Sequence, residues 1–197
     1  MFADGQPGRT GSDAAATGTA TLAKDGKALA TADLADCDVH QSRTCELRAD
    51  LPAGSGAYTL TASMRRQATL STEVKSVWTF PSATTAAQQP LPLMAVRYSP
   101  EGLDDFNRAK PGSTTRMPMW VERNPGTTKV RVNSIRLEVS ADDGATWRPV
   151  PVTRTGSGWI ATLTNPPAAG FVSIRAAVTD TAGDGVTQTI TRAYAVG

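Results

Sequence analysis

The sequence predicts an all-β fold arranged as two tandem immunoglobulin-like or fibronectin type III-like β-sandwiches. Many short segments alternate apolar and polar residues, and almost none shows the 3.6-residue period of an amphipathic helix. Clusters of Gly, Pro and Asp separate these segments at about the spacing found in sandwich domains. With 197 residues, the chain is long enough for two domains of about a hundred residues each. We predict a first sandwich over 1–88 and a second over 89–197.

In the first half, the clearest prediction is a hairpin over 17–33 that turns at Asp25-Gly26, because Asp-Gly supplies the positive φ angles of a two-residue turn. Further strands are predicted at 45–50, 57–66 and 73–80. In the last of these, alternation places four residues on one face that suits a packed core. They are Val74, Ser76, Trp78 and Phe80. The proline-bounded stretch 81–90 is predicted to be a linker.

The second half contains the more regular strand pattern. Residues 91–98 are predicted to form an edge strand because prolines stand at its start, and 104–110 a helical turn. The other predicted strands are 117–123, 130–140, 148–154, 158–164, 171–180 and 186–195. About seven short strands over about a hundred residues are typical of the immunoglobulin-like or fibronectin-like class.

Composition and charge exclude several classes of function. The chain has 20 Lys and Arg against 18 Asp and Glu, with no long basic run, so we expect neither a nucleic-acid interface nor a membrane surface. The excess of Thr, Ser, Ala and Gly is typical of secreted bacterial β proteins. The first eight residues lack the pattern of a signal peptide, so we expect the export signal of a secreted parent to lie upstream.

The two cysteines, Cys37 and Cys45, are spaced to close a local loop by a disulfide, which would contribute about 2–3 kcal/mol. Two free thiols remain the main alternative. A metal site using both thiolates and His40 is disfavoured, because zinc needs three or four ligands and the chain has 1 histidine. We also expect no Ser-His-Asp catalysis, because it would have to use His40, which lies inside the predicted disulfide loop, and no nucleophile elbow surrounds any serine. The sequence predicts no catalytic centre.

The segment 140–147 matches the Asp-box pattern Ser-x-Asp-x-Gly-x-Thr-Trp at every fixed position. Its physical basis is a hairpin turn in which a carboxylate accepts turn amides, a glycine takes a restricted conformation and a tryptophan packs on the sheet. We therefore assign a structural role to five residues and do not infer sialidase activity. They are Ser140, Asp142, Gly144, Thr146 and Trp147.

Two further clusters leave an alternative open. Calcium is the one candidate cofactor, with oxygen ligands from Asp142, Asp143, Asp180 and Asp184, although no EF-hand spacing is present; plain turn chemistry is the preferred interpretation. The chain also has 4 tryptophans, which could form a sugar-binding platform or belong to the core. Core packing is favoured, and Trp120 is the best candidate for a ligand contact.

From about residue 76 onward, the chain resembles the C-terminal extension of secreted actinobacterial-type subtilisin-like serine proteases. The segments that carry this resemblance are 77–80, 91–98, 135–150, 165–180 and 190–194. The resemblance implies a secreted endopeptidase parent whose catalytic triad lies upstream of this chain. The upstream catalytic domain or a protein substrate would then be the partner of this segment, which we expect to be monomeric.

We therefore expect a non-catalytic extracellular accessory segment that interacts with protein and stabilises or positions its partner. A carbohydrate-binding module and an adhesin-like spacer are the alternatives. A sugar-binding module predicts solvent-exposed tryptophans, whereas a spacer predicts an extended pair of domains without a ligand.

Overall fold

The computed structural model describes residues 15–34, 46–51, 53–156 and 158–197. Over these residues the chain is all-β, with two sheets as in a β-sandwich and no helix. The predicted all-β class with a sandwich arrangement is therefore confirmed. The immunoglobulin-like or fibronectin type III-like assignment and the division into two tandem domains stay predictions. The described part also has no helix that is long and apolar enough to cross a membrane.

The described residues form thirteen strands, six before residue 110 and seven after it. The first six are β1 (Thr17–Lys24), β2 (Lys27–Asp33), β3 (Ser55–Arg65), β4 (Glu73–Ala83), β5 (Met94–Tyr98) and β6 (Arg108–Ala109). The other seven are β7 (Thr114–Arg123), β8 (Val132–Ser140), β9 (Arg148–Val150), β10 (Val152–Arg154), β11 (Trp159–Thr164), β12 (Gly170–Asp180) and β13 (Gly185–Val196).

The hairpin β1–β2 turns at the predicted dipeptide. Asp25 has φ 50° and Gly26 has φ 80°, as a two-residue turn of type I′ requires. The carboxylate of Asp25 also accepts a hydrogen bond from the backbone N–H of Ala57 at 3.2 Å. The turn is thereby attached to the beginning of β3.

The larger sheet has the strand order β2-β1-β3-β4-β13-β12-β8-β9, with β6 paired to β13 as a ninth strand. Its central feature is the antiparallel pairing of β4 with β13, which runs from Glu73 opposite Thr191 to Thr79 opposite Gly185. The sheet thus passes across residue 88, where we predict a domain boundary. The boundary itself stays a prediction.

The smaller sheet has the order β10-β11-β7-β5, so β5 is an edge strand as expected. The strand predicted at 148–154 is in fact two strands that belong to different sheets. β9 pairs with β8 in the larger sheet, and β10 pairs with β11 in the smaller one. Pro151 lies between them and has no N–H to continue a ladder, so the chain crosses from one sheet to the other there.

Two other local predictions are wrong. Residues 46–50 form no strand. Residues 104–110 form no helical turn, because Asn107 has φ 57°, outside the right-handed helical region. The Asp104 carboxylate accepts from the backbone N–H groups of Phe106 (2.9 Å) and Arg108 (2.8 Å) and holds a tight turn, and β6 follows immediately.

The core lies between the two sheets and is formed mainly by apolar side chains from strands after residue 93. The predicted packed face of β4 is confirmed, since Val74, Ser76 and Phe80 are buried. Trp78 is half-buried, and its Nε1 donates to the carbonyl oxygen of Met94 at 2.6 Å. This hydrogen bond connects the larger sheet to the first residue of β5.

One buried polar network is enclosed in this core. The Tyr194 hydroxyl donates to Oδ1 of Asn165 at 2.8 Å, and Nδ2 of Asn165 donates to the Thr115 hydroxyl at 2.9 Å. All three side chains are buried. Such a network stabilises a fold only when each member has a partner, and here each member has one.

The edge of β5 is occupied by a side chain from the other sheet. The Gln188 amide accepts from the Val96 N–H and donates to the Val96 carbonyl, both at 3.2 Å. Together with Trp78 at Met94, this contact satisfies backbone groups that an edge strand leaves open. The strand is therefore poorly suited to accept another chain.

Candidate functional site

The Asp-box segment forms the turn between β8 and β9. The Ser140 hydroxyl donates to Oδ1 of Asp142 at 2.6 Å and accepts from the Gly144 N–H at 2.8 Å. The other end of the turn is held by Thr146, whose N–H and hydroxyl donate to the Asp142 carboxylate at 2.9 and 2.5 Å. The predicted residues are thus brought together, and their hydrogen bonds are used within the turn.

These donors also change the titration of Asp142. Hydrogen bonds from the Ser140 hydroxyl, and then from Thr146, lower the pKa of the Asp142 carboxyl to about 2. The charged carboxylate is the form that accepts these bonds, so it is favoured over the acid. The carboxylate therefore remains ionised while it organises the turn.

Trp147 packs against the sheet and is half-buried. The Arg175 guanidinium carbon lies 4.3 Å from the centre of the indole ring, a cation–π contact, and Arg175 also donates to Glu138 at 2.8 Å. Gly144 has φ 93°, and a Cβ there would lie 3.2 Å from Cζ2 of Trp147. The indole is thus held by protein groups, which disfavours a role in stacking on a sugar.

A bulge in β13 connects the same turn to the larger sheet. The register between β12 and β13 shifts between Val172 and Ile174, and at this point Arg192 has φ 55°. The guanidinium of Arg192 donates to both carboxylate oxygens of Asp143, at 2.9 and 2.6 Å. Bulges re-aim side chains, and this one directs Arg192 to the Asp-box turn.

The aspartates considered for calcium do not form one cluster. Asp142 and Asp143 follow Ser140 at the end of β8, whereas Asp180 pairs with Val132 at its beginning. No group of three or more His, Cys, Asp or Glu side chains suited to a metal is found in the described ranges. Asp142 and Asp143 accept the hydrogen bonds given above. The calcium prediction would thus need two separate and incomplete sites.

Asp180 and Asp184 close the turn between β12 and β13. Oδ1 of Asp180 accepts from the N–H groups of Ala182 (2.8 Å) and Asp184 (3.0 Å), and its Oδ2 lies 2.8 Å from the Arg123 guanidinium. Burial, and then the negative charge of Asp180, raise the pKa of the Asp184 carboxyl. Asp180 and Asp184 thus belong to a buried turn in which Arg123 compensates the negative charge of Asp180.

The four tryptophans differ in exposure. Trp78, Trp147 and Trp159 are half-buried, whereas Trp120 is 39% exposed. Trp120 lies on β7, near the middle of the smaller sheet and on the side that faces away from the core. It therefore remains the tryptophan best placed to contact a ligand.

The surroundings of Trp120 define a surface that we call the Trp120 face: Arg97, Pro118, Trp120, Glu122 and Ile160. Glu122 accepts from Nε1 of Trp120 at 3.1 Å and from Nε of Arg97 at 2.7 Å. These hydrogen bonds lower the pKa of the Glu122 carboxyl, with the bond from Arg97 as the main cause. Pro118 pairs with Ile160 on β11, and both are half-buried.

A second ion pair lies at the border of this face, where the Arg116 guanidinium contacts the Glu101 carboxylate. The face thus combines a partly exposed indole, two half-buried apolar residues and two ion pairs. Sequence alternation in β7 could have predicted that Trp120 and Glu122 share a face. Arg97 comes from another strand, so its place beside them could not be found without the strand pairing.

Three residues of the sequence analysis lie outside the described residues. They are Cys37, His40 and Cys45. The disulfide therefore stays a prediction, as does the lack of a role for His40.

The comparisons with known proteins give no further assignment. No protein-family model matches the chain, and neither a curated protein nor a solved structure does so. The resemblance to subtilisin-like proteases therefore stays a prediction from the sequence segments named above.

Proposed function

We propose that this chain is a non-catalytic, extracellular accessory segment of a subtilisin-like serine endopeptidase, and that it contacts the catalytic domain or a protein substrate through the Trp120 face. The sequence resemblance supports the parent. The observation that supports the contact surface is the partly exposed Trp120 with its polar border.

The composition of the Trp120 face fits a protein interface. Protein interfaces are enriched in Trp and Arg, and a few such residues carry most of the binding free energy. The indole is already oriented by its hydrogen bond to Glu122, so less side-chain entropy is lost when a partner covers it. The ion pairs Arg97–Glu122 and Arg116–Glu101 form a polar rim that keeps the surface soluble before binding.

A carbohydrate-binding module is the second candidate, and one observation favours it. Trp120 is exposed beside a carboxylate and a guanidinium, a combination that can stack on a sugar ring and hydrogen-bond its hydroxyls. Two observations disfavour a carbohydrate-binding module: the other three tryptophans are half-buried, and the Trp147 ring is already in contact with the Arg175 guanidinium. A platform of several coplanar rings is thus not formed by the described tryptophans.

The test is binding by co-elution and calorimetry between this chain and the subtilisin-like catalytic domain encoded with it. We expect Trp120→Ala to weaken the complex by about 2 kcal/mol, or roughly 30-fold. Phe106→Ala is the matched control, because Phe106 is 72% exposed but lies on the turn before β6. Equal affinity of the wild-type chain and both variants would refute the assigned surface.

The same proteins also separate the candidates. Retention on insoluble polysaccharide that is lost in Trp120→Ala, without association with the catalytic domain, would favour the carbohydrate-binding module. Absence of both interactions would favour the adhesin-like spacer.

A further inference from the structure

We propose that the connection between β4 and β5 is a cleavage site for an extracellular endopeptidase, and that the chain remains one folded unit after the cut. The scissile segment is 85–89, with the sequence Thr-Ala-Ala-Gln-Gln. The extracellular location of the endopeptidase rests on the proposed function, whereas cleavage at 85–89 and persistence of the folded unit do not depend on the parent protein.

The segment 85–89 is accessible along its whole length. Each of its five residues is exposed, and within it the Thr85 hydroxyl donates to the Ala87 carbonyl at 2.7 Å. Its flanks are held, since the Thr84 N–H donates to the Gly54 carbonyl and Nδ2 of Asn124 donates to the Leu91 carbonyl at 3.0 Å. The exposed stretch is therefore a short bridge between two fixed points.

Such a bridge has the properties that an endopeptidase requires. A protease binds its substrate in an extended form, with backbone groups that are not already engaged in a ladder, and exposed segments with small or polar side chains are preferred sites of nicking. The segment 85–89 carries no charge, and Ala86 and Ala87 fit a narrow cleft. Water adds to one peptide carbonyl, the C–N bond breaks, and the new ends are a carboxylate and an amine.

The two pieces stay together because the larger sheet crosses the cut. β4 ends before the segment, and its ladder with β13 comprises seven residue pairs, Glu73–Thr79 with Gly185–Thr191. The Ser71 N–H donates to the Arg192 carbonyl at 2.8 Å, and Trp78 donates to the Met94 carbonyl on the far side of the cut. None of these contacts involves 85–89.

The experiment is limited digestion of the 197-residue chain with a bacterial subtilisin under native conditions. We expect two fragments on a denaturing gel, new ends within 85–89 by mass spectrometry, and a single species on size exclusion that separates only in urea. A double variant, Ala86→Pro with Ala87→Pro, should be cut at least tenfold more slowly, while Ala86→Ser with Ala87→Ser should be cut like the wild type.

Cleavage at 85–89 and association of the fragments are tested separately by this digestion. If the chain resists cleavage at 85–89, or is cut first within another described connection such as 124–131, the segment is not the site. If the fragments elute separately after a cut at 85–89, the sheet does not hold the pieces together.

Discussion

Removing the Tyr194 hydroxyl by Tyr194→Phe should destabilise the fold substantially, whereas the same change at Tyr98 should not. In the wild type the Tyr194 hydroxyl donates to the buried Oδ1 of Asn165. Phenylalanine leaves that oxygen without a donor in a site closed to water, which costs about 1–3 kcal/mol. For a chain of this size, a loss of about 2 kcal/mol lowers the melting temperature by about 4–8 °C.

Tyr98 provides the matched control. Its hydroxyl is also buried, but no hydrogen-bond partner is found for it among the described residues, and burial raises its pKa. Tyr98→Phe removes an unsatisfied polar atom and should leave the stability unchanged or raise it slightly. Urea and thermal denaturation followed by circular dichroism measure both variants. Equal losses at Tyr194 and Tyr98 would refute the reasoning from hydrogen-bond satisfaction.

Three further predictions concern the turns. Gly144→Ala should lower the free energy of unfolding by about 2 kcal/mol in urea denaturation, because a side chain is strained at φ 93° and its Cβ would lie only 3.2 Å from Trp147; an unchanged midpoint would contradict this. Ser140→Ala should raise the pKa of Asp142 from about 2, as carboxyl NMR titration would measure. In the wild type, the corresponding stability is present above the unfolded pKa of about 3.9 and is lost as pH falls towards 2. The raised pKa of the Asp184 carboxyl has the opposite effect on stability, because ionisation of Asp184 destabilises the fold as pH rises. Asp184→Asn should therefore stabilise the fold at pH 7 but not at pH 3.

Local features of this fold could be predicted because local chemistry determines them. Asp25-Gly26 readily adopts the positive φ angles of a two-residue hairpin turn. Alternation alone assigns Val74, Ser76 and Phe80 to one buried face. The Asp-box residues also find one another within a single turn. In each case, the interacting groups are close together in the sequence.

Features that depend on distant pairing could not be predicted. Alternation shows which face of a strand is buried but not which strand lies beside it, so the ladder between β4 and β13 and the contact of Arg97 with Glu122 were not foreseen. The segment 148–154 has the alternation of one strand, and only the pairing partners reveal that Pro151 divides it between two sheets.

The position of β13 in the larger sheet has a consequence for biosynthesis. β13 lies between β4 and β12, yet it is synthesised after both of them. Until β13 leaves the ribosome, β4 and β12 each have an edge with unpaired backbone groups that can pair with other chains. We expect this sheet to close only after synthesis of β13, so a ribosome stalled before residue 185 would hold a nascent chain that is more dependent on chaperones than the finished one.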